Sequence, residues 1–320
     1  MRILVTGGAG YIGSHLVDLL LRGDHEVSVI DNLSTGAIDN LAPMLDRIRF
    51  LNGSILDATL VSAEVERAQL VFHLAAAVGV RHIVDRPLDS IRVNTRGTEI
   101  VLECCFRYWR RALVASTSEV YGKTTTVPMS EDDDRVLGST KVHRWAYSTS
   151  KALDEHLAFA YAALGLPISV VRYFNSYGPR LDSRGYGSVV ASFIGKALAG
   201  EPILIHGDGS QTRSFTYIDD TTRGTFLAAT SDAALGTVFN IGNPVETSIL
   251  TLAERIRSLV GSSSEIRFVT YEDQFGPRFE DTDRRVPNVS RAKELLGWEP
   301  TIGLDDGLAR TLEWWKTKRG

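Results

Sequence analysis

Ile3-Leu4-Val5-Thr6-Gly7-Gly8-Ala9-Gly10-Tyr11-Ile12-Gly13 joins a short apolar run to an amphipathic segment that continues to Leu21. The first residues read as a buried strand, the last as the first turn of a helix. Glycines at this junction let the backbone turn tightly and come close to a pyrophosphate, whose charge then sits at the helix N-terminus. The spacing is GxxGxxG, one residue longer in its first gap than GxGxxG, and its weight comes from the strand–turn–helix context. Gly7, Gly10, Tyr11, Ile12 and Gly13 are therefore candidate cofactor-binding residues. Asp31 ends the second apolar run, 18 residues after Gly13. A carboxylate there accepts hydrogen bonds from ribose hydroxyls and repels a 2′-phosphate. Asn32 and Leu33 bring no cation to offset that repulsion, which favours NAD over NADP.

Outward from this unit, short runs at Ile3–Val5, Val27–Ile30, Leu70–Leu74, Leu113–Ser116 and Ile168–Arg172 alternate with helical stretches at Tyr11–Leu21, Leu88–Tyr108 and Ser150–Ala163. That alternation predicts an α/β fold, a doubly wound parallel Rossmann sheet. After Asn175 the rhythm changes: Gly and Pro cluster in YGPRLDSRGYG and again in HGDGS. Segments 187–200 and 249–260 read as helices, 203–205 and 266–270 as short strands, and the chain is expected back in the sheet around 214–241. The predicted division is a dinucleotide domain over 1–174 plus about 213–241, and a smaller C-terminal substrate-binding lobe over 175–212 and 242–320.

With 35 Lys and Arg against 39 Asp and Glu in 320 residues, the net charge of −4 argues against a nucleic-acid partner. The acidic run Glu131–Asp134 reads as a solvated loop. The two cysteines, Cys104 and Cys105, are adjacent in a helical pattern, which supplies neither a disulfide framework nor a metal-ligand set. No apolar run approaches the roughly 18 residues of a membrane span, so a cytoplasmic enzyme without metal is expected.

Tyr147 and Lys151 stand in YSTSK, at i and i+4 on one helix face, so both can reach one cavity. A tyrosine ordinarily titrates near pH 10. A nearby ammonium and a cationic nicotinamide favour its phenolate, which makes Tyr147 a candidate general base on a sugar hydroxyl. Ala115-Ser116-Thr117-Ser118-Glu119-Val120-Tyr121-Gly122 places hydroxyls and one acid at a strand C-terminus, where open α/β sheets bind ligands. Glu119 either faces solvent or a lysine, or acts on substrate.

TGGAGYIGSHL, HLAA at His73–Ala76, Asn94 in VNTRGT, STSEVYG, YSTSK and RYFNSYGPR occur in an order that resembles the extended short-chain dehydrogenase/reductase family, the nucleotide-sugar epimerases, dehydratases and decarboxylases. The resemblance runs from Met1 to about Trp315. It implies Thr117, Tyr147 and Lys151 as catalytic hydroxyl, base and ammonium. For the cofactor, NAD, it implies Asn32, Ser34, Gly36, Ser54, Ile55, Leu74, Ala75, Ala76, Asn94, Ser116 and Tyr173 as well. Ser54 stands where the family usually carries an acid contacting adenine. For a UDP-sugar it implies Asn175, Val189, Ile205, Arg213 in GSQTRSFTYIDD and Arg285 in DRRVPNVS, since guanidinium forks bind phosphate oxygens bidentately. Arg81, in AVGVRHIVDRP, either approaches a substrate carboxylate or lies exposed.

Within the family, Thr117-Ser118-Glu119 before VYG and VLGSTKVHRWAYSTSK resemble the UDP-glucuronate decarboxylases. That likeness implies catalytic roles for Ser118, Glu119 and Arg285: oxidation at C4, loss of CO2, and UDP-4-keto-xylose or UDP-xylose as product. A UDP-sugar 4-epimerase acting on glucuronate or glucose is the alternative, and glucuronate epimerases tend to carry a small residue at the position of Glu119. A 4,6-dehydratase is disfavoured because Ser118 replaces its acidic residue. A non-catalytic nucleotide-binding protein is the remote reading, opposed by the intact Tyr147/Lys151 pair. The family commonly dimerises through two helices per subunit. Here these are 92–108, with Ile100, Val101 and Cys104, and 147–163, with Leu153, Leu157 and Phe159, positions that could equally be internal core.

Overall fold

A computed structural model describes residues 1–79, 86–142, 144–181, 188–270, 282 and 284–319. Arg81 lies outside the described residues. Seven strands, β1 (Arg2–Thr6), β2 (Glu26–Asp31), β3 (Ile48–Asn52), β4 (Leu70–His73), β5 (Arg111–Thr117), β6 (Ile168–Tyr173) and a late strand Val238–Ile241, form one sheet in the order β3-β2-β1-β4-β5-β6-late strand. Every pairing in it is parallel. The order reverses between β1 and β4, so the two connections diverge there and leave a crevice at the strands' carboxyl ends. This is the Rossmann-type α/β fold the motif order predicts.

Side chains alternate across each strand, so β1 sends Ile3 and Val5 to one core and Leu4 to the other. On the first face pack α1 (Tyr11–Arg22) and the helix Ile218–Thr230; on the second pack α2 (Ala58–Arg67), α3 (Pro87–Tyr108) and α4 (Arg144–Ala163). A third cluster, built on Phe193, Ile194, Ile203, Phe215, Leu252, Ile256, Leu308 and Leu312, is the core of the smaller lobe. No helix among the described residues is long and apolar enough to cross a membrane.

Several expectations are corrected here. Only Val238–Ile241 of the 214–241 stretch joins the large sheet; Thr212–Ser214 pairs antiparallel with Glu246–Ser248, and Thr216–Tyr217 pairs with Ser176–Tyr177. Ala292 and Trp298 sit in the first Rossmann core, so the 242–320 stretch contributes to both lobes. Glu131 is not solvated: it is buried and its Oε1 accepts from the Asn240 backbone at 2.8 Å, while Asp132 and Asp134 remain exposed. Burying that carboxylate is tolerable because a backbone N–H replaces water. Ile100, Val101 and Cys104 are internal, packed between α3 and the sheet, so they offer no dimer face; on α3 and α4 the large exposed apolar side chains among the described residues are Leu88, Ile91 and Leu153.

Candidate active site

The glycine turn is cramped from three sides. Gly7 has φ +74, and a Cβ on it would lie 2.7 Å from the Ala75 nitrogen. A Cβ on Gly13 would lie 2.2 Å from the Gly7 carbonyl oxygen. The backbone is thus bared toward the crevice because no side chain fits, and α1 begins there with free N–H groups. Gly36 serves the same turn from outside, its Cα held against Ala9 and Gly10. Asp31 is buried at the end of β2; its Oδ2 accepts from Ala9 N at 2.9 Å and its Oδ1 from Leu33 N at 2.8 Å. Burial pushes its pKa up and those backbone donors pull it back. Each oxygen keeps a lone pair for an outside donor such as a ribose hydroxyl.

A cavity of about 680 Å³ follows the carboxyl ends of the strands. Its wall includes Gly7, Gly10, Tyr11, Ile12 and Gly13 of the turn, and Asp31, Asn32 and Ser34 after β2. Ser54 and Ile55 after β3, Leu74, Ala75 and Ala76 after β4, Ser116 and Thr117 at the end of β5, Tyr147, Lys151 and Tyr173 also line it. The volume suits an extended ligand, and the donor-rich turn facing an acidic strand end fits a dinucleotide. Asn94 does not line this wall: it is buried as a strut, its Oδ1 accepting from Ala77 N at 2.7 Å and its amide donating to Ala77 O. It thereby shapes the loop leaving β4.

Tyr147 and Thr117 meet at the crevice, and a hydrogen bond from Thr117 lowers the phenol's pKa. The net shift is upward, because burial, then the carboxylates of Glu119 and Asp154, disfavour the phenolate. The expected phenolate rested on the Lys151 ammonium together with a cationic nicotinamide; of these, Lys151 Nζ is tied to Asp154 Oδ2 at 2.6 Å, with both side chains almost wholly buried. Beneath them His73 is held between Thr6 Oγ1 at 2.8 Å and Thr98 Oγ1 at 3.0 Å. Thr98 donates its own proton to Asn94 O at 2.6 Å, so His73 Nε2 carries the hydrogen and Nδ1 accepts. Burial, then Lys151, pushes His73 down to about 3.

Beside this group, Ser118 is buried and Arg285 NH1 reaches Glu119 Oε1 at 3.4 Å, while Arg285 NH2 reaches Thr282 Oγ1 at 3.2 Å. The pair unites residues 166 apart in sequence. Glu119 is presented by a short 3-10 turn, Ser118–Tyr121, whose start is capped by Thr117 Oγ1 accepting from Glu119 N at 3.2 Å. A deeper network braces the same turn: Arg172 forks onto Glu155 at 2.9 and 2.7 Å and lies over the Tyr121 ring. Ser116 Oγ also donates to Glu155.

The remaining predicted residues border the smaller lobe rather than the cavity wall. Asn175, at φ +33, donates to Ser214 O at 3.3 Å; Arg213 is buried with NH1 on Thr212 O at 2.8 Å; Val189 starts a helix that runs to Ala199. Ile205 is wholly buried in the lobe's core, which leaves only its backbone for a ligand. Sequence reasoning missed Arg180, Leu181, Ser188, Trp314, Trp315 and Lys318, all in the cavity wall. The tryptophans come from the last helix, Leu304–Arg319, and nothing local marks them as facing the site. Asp154 was also missed, although its i+3 spacing from Lys151 was a usable signal.

A family profile described as GDP-mannose 4,6 dehydratase matches residues 4–311. A UDP-N-acetyl-alpha-D-glucosaminuronate decarboxylase from Bacillus cytotoxicus is 40% identical over 98% of both chains. UDP-glucuronic acid decarboxylase 1 from Xenopus tropicalis is 37% identical over 98% of this chain and 72% of its own length. Among solved structures, the UDP-glucuronic acid 4-epimerase from Bacillus cereus, in complex with UDP-glucuronic acid and NAD, superposes with a TM-score of 0.88. It is 32% identical, over 99% of this chain and 100% of that one.

Proposed function

From membership of the GDP-mannose 4,6-dehydratase family, to which this chain belongs, we propose that it is an NAD-dependent decarboxylase acting on UDP-glucuronate. The chain is an enzyme of the nucleotide-sugar decarboxylase and epimerase kind, and NAD is its cofactor, as in the epimerase that binds it. The observation that carries the decarboxylase reading is the part-buried Glu119–Arg285 pair beside Thr117 and Tyr147. A guanidinium there can receive a sugar carboxylate, and an acid there can manage the proton that replaces it.

When bound, NAD supplies the hydride acceptor for C4 and can return that hydride later. The chain's residues do the rest. Tyr147 Oη, in its ionised form, takes the C4 hydroxyl proton, with Thr117 holding the same oxygen by a hydrogen bond. The resulting ketone lies β to the carboxylate on C5, so the C5–carboxylate bond breaks with its electrons passing to the ketone oxygen as an enolate. Thr117 and Tyr147 stabilise that oxyanion, Arg285 orients the departing carboxylate, and Glu119 assists proton delivery to C5. Asn175 and Arg213 are proposed to hold the nucleotide diphosphate from the smaller lobe, and a homodimer is the proposed assembly in a cytoplasmic setting.

Incubation with NAD⁺ and UDP-glucuronate, followed by mass spectrometry, tests this. Loss of CO2 supports the reading; an isomer of unchanged mass overturns it in favour of a 4-epimerase. The 40% identical relative favours one second reading, in which the substrate carries an N-acetyl group at C2. Turnover of UDP-N-acetylglucosaminuronate with none of UDP-glucuronate selects that one.

A further inference from the structure

The buried carboxylate of Asp154 has no part in the steps above, yet it touches Lys151, the ammonium one helical turn from Tyr147. We propose that Asp154 is a positioning residue: it anchors Lys151 and neutralises its charge, so that the site retains the oxidised dinucleotide in preference to the reduced one. The inference rests on the NAD-dependent reading above.

The geometry is that of a fixed pair. Asp154 Oδ2 and Lys151 Nζ are 2.6 Å apart, one helical turn apart on α4, and their side chains are 0% and 3% exposed. Among the described residues, each other charged group facing the pair is already matched or neutral. On α4 itself, Glu155 is forked by Arg172 of β6. After β5, Glu119 is paired with Arg285. On β4, His73 is held neutral between two threonines. From α3 come only the polar Thr98 and Asn94. Tyr147, on α4, is a neutral phenol raised in part by Asp154. Removing the Asp154 charge therefore leaves the wall beneath the catalytic tyrosine with one uncompensated cation, Lys151.

A nicotinamide ring is cationic when oxidised and neutral when reduced. An added positive charge in the wall penalises the oxidised ring alone, and the low local dielectric makes the penalty large. The same charge stabilises a Tyr147 phenolate. The Asp154 carboxylate thus moves two quantities in opposite senses. It strengthens binding of NAD⁺ and holds the tyrosine proton more tightly, until the cationic ring and the sugar hydroxyl arrive together.

The test is Asp154→Asn, which keeps shape and removes charge, with Asp154→Ser as a smaller neutral variant in case the amide disturbs folding and Asp154→Glu as the charged control. Kd values for NAD⁺ and NADH are measured by calorimetric titration without sugar, beside melting temperature. In the neutral variants the ratio Kd(NAD⁺)/Kd(NADH) is expected to rise about tenfold, the equivalent of one pH unit on a neighbouring group. Asp154→Glu should recover part of it. The acid limb of the kcat/KM profile should move down by about one pH unit in the same variants. A carboxylate that only braces the helix would weaken both forms alike. A ratio within twofold of the wild type in a folded neutral variant overturns the proposal and leaves the enzyme assignment intact. A wild-type chain that binds neither form overturns that assignment and this inference with it.

Discussion

Gly13→Ala tests whether the crevice is the dinucleotide site, and its cost can be worked from the backbone. The added methyl would lie 2.2 Å from Gly7 O, 2.8 Å from Gly8 Cα and 2.9 Å from Gly7 C. All three are backbone atoms, so no side chain can rotate aside. Restoring an ordinary contact means parting the turn from α1 by about 1 Å. The turn cannot yield freely: Gly10 N donates to Gly7 O at 3.1 Å, Gly7 N donates to Ile30 O at 2.8 Å, and Gly7 is pressed against Ala75. Overpacking of this kind costs ~1–3 kcal/mol. Spread onto ligand affinity, that weakens NAD⁺ binding about 5- to 150-fold. Isothermal titration of NAD⁺ into wild type and variant reads the affinity, and thermal melting separates it from loss of fold. Gly303→Ala is the control, because a methyl added there would meet nothing within 4 Å and its backbone is outside the left-handed region. Binding by Gly13→Ala within twofold of wild type, at unchanged melting temperature, would refute the cradle.

Tyr147→Phe should leave NAD⁺ affinity within a few-fold while abolishing C4 oxidation, seen as loss of both product and transient NADH absorbance; retained turnover removes the base from Tyr147. Glu119→Gln should lower CO2 release by about 10²–10⁴-fold, the usual reach of a positioned proton donor; release at the wild-type rate would assign that proton to another group. Stability should also depend on His73. Its folded value of about 3 lies below the ordinary value of 6.5, so the unfolded chain takes up the proton first. Stability present above about pH 6.5 is then lost as pH falls toward 3, by up to ~1.4 kcal/mol per pH unit. Melting temperatures of His73→Gln should fall less steeply than wild type between these limits, and parallel slopes would show that His73 does not contribute.

The fold and the cofactor half of the site were legible in the chain because they depend on neighbours in sequence. A strand, a glycine turn and a helix lie within residues 3–21, Asp31 ends the next strand, and Tyr147 and Lys151 share a helix face by spacing alone. Local backbone geometry is enough to set such units, whatever the rest of the chain does. Roles for Glu119 and Arg285 were implied by resemblance, not by spacing, and their pairing was not foreseen. What only the tertiary structure decided are relations across long separations. Nothing near Glu131 announces that Asn240 will cover it, and nothing in the last helix announces that Trp314 and Trp315 will face the crevice. Lys151 shows the same division at short range: spacing puts it beside Tyr147, but burial with Asp154 decides where its charge goes. Burial and pairing depend on which distant surfaces close over a residue. A one-dimensional pattern carries the direction of a side chain, not the dielectric or the partner it will meet.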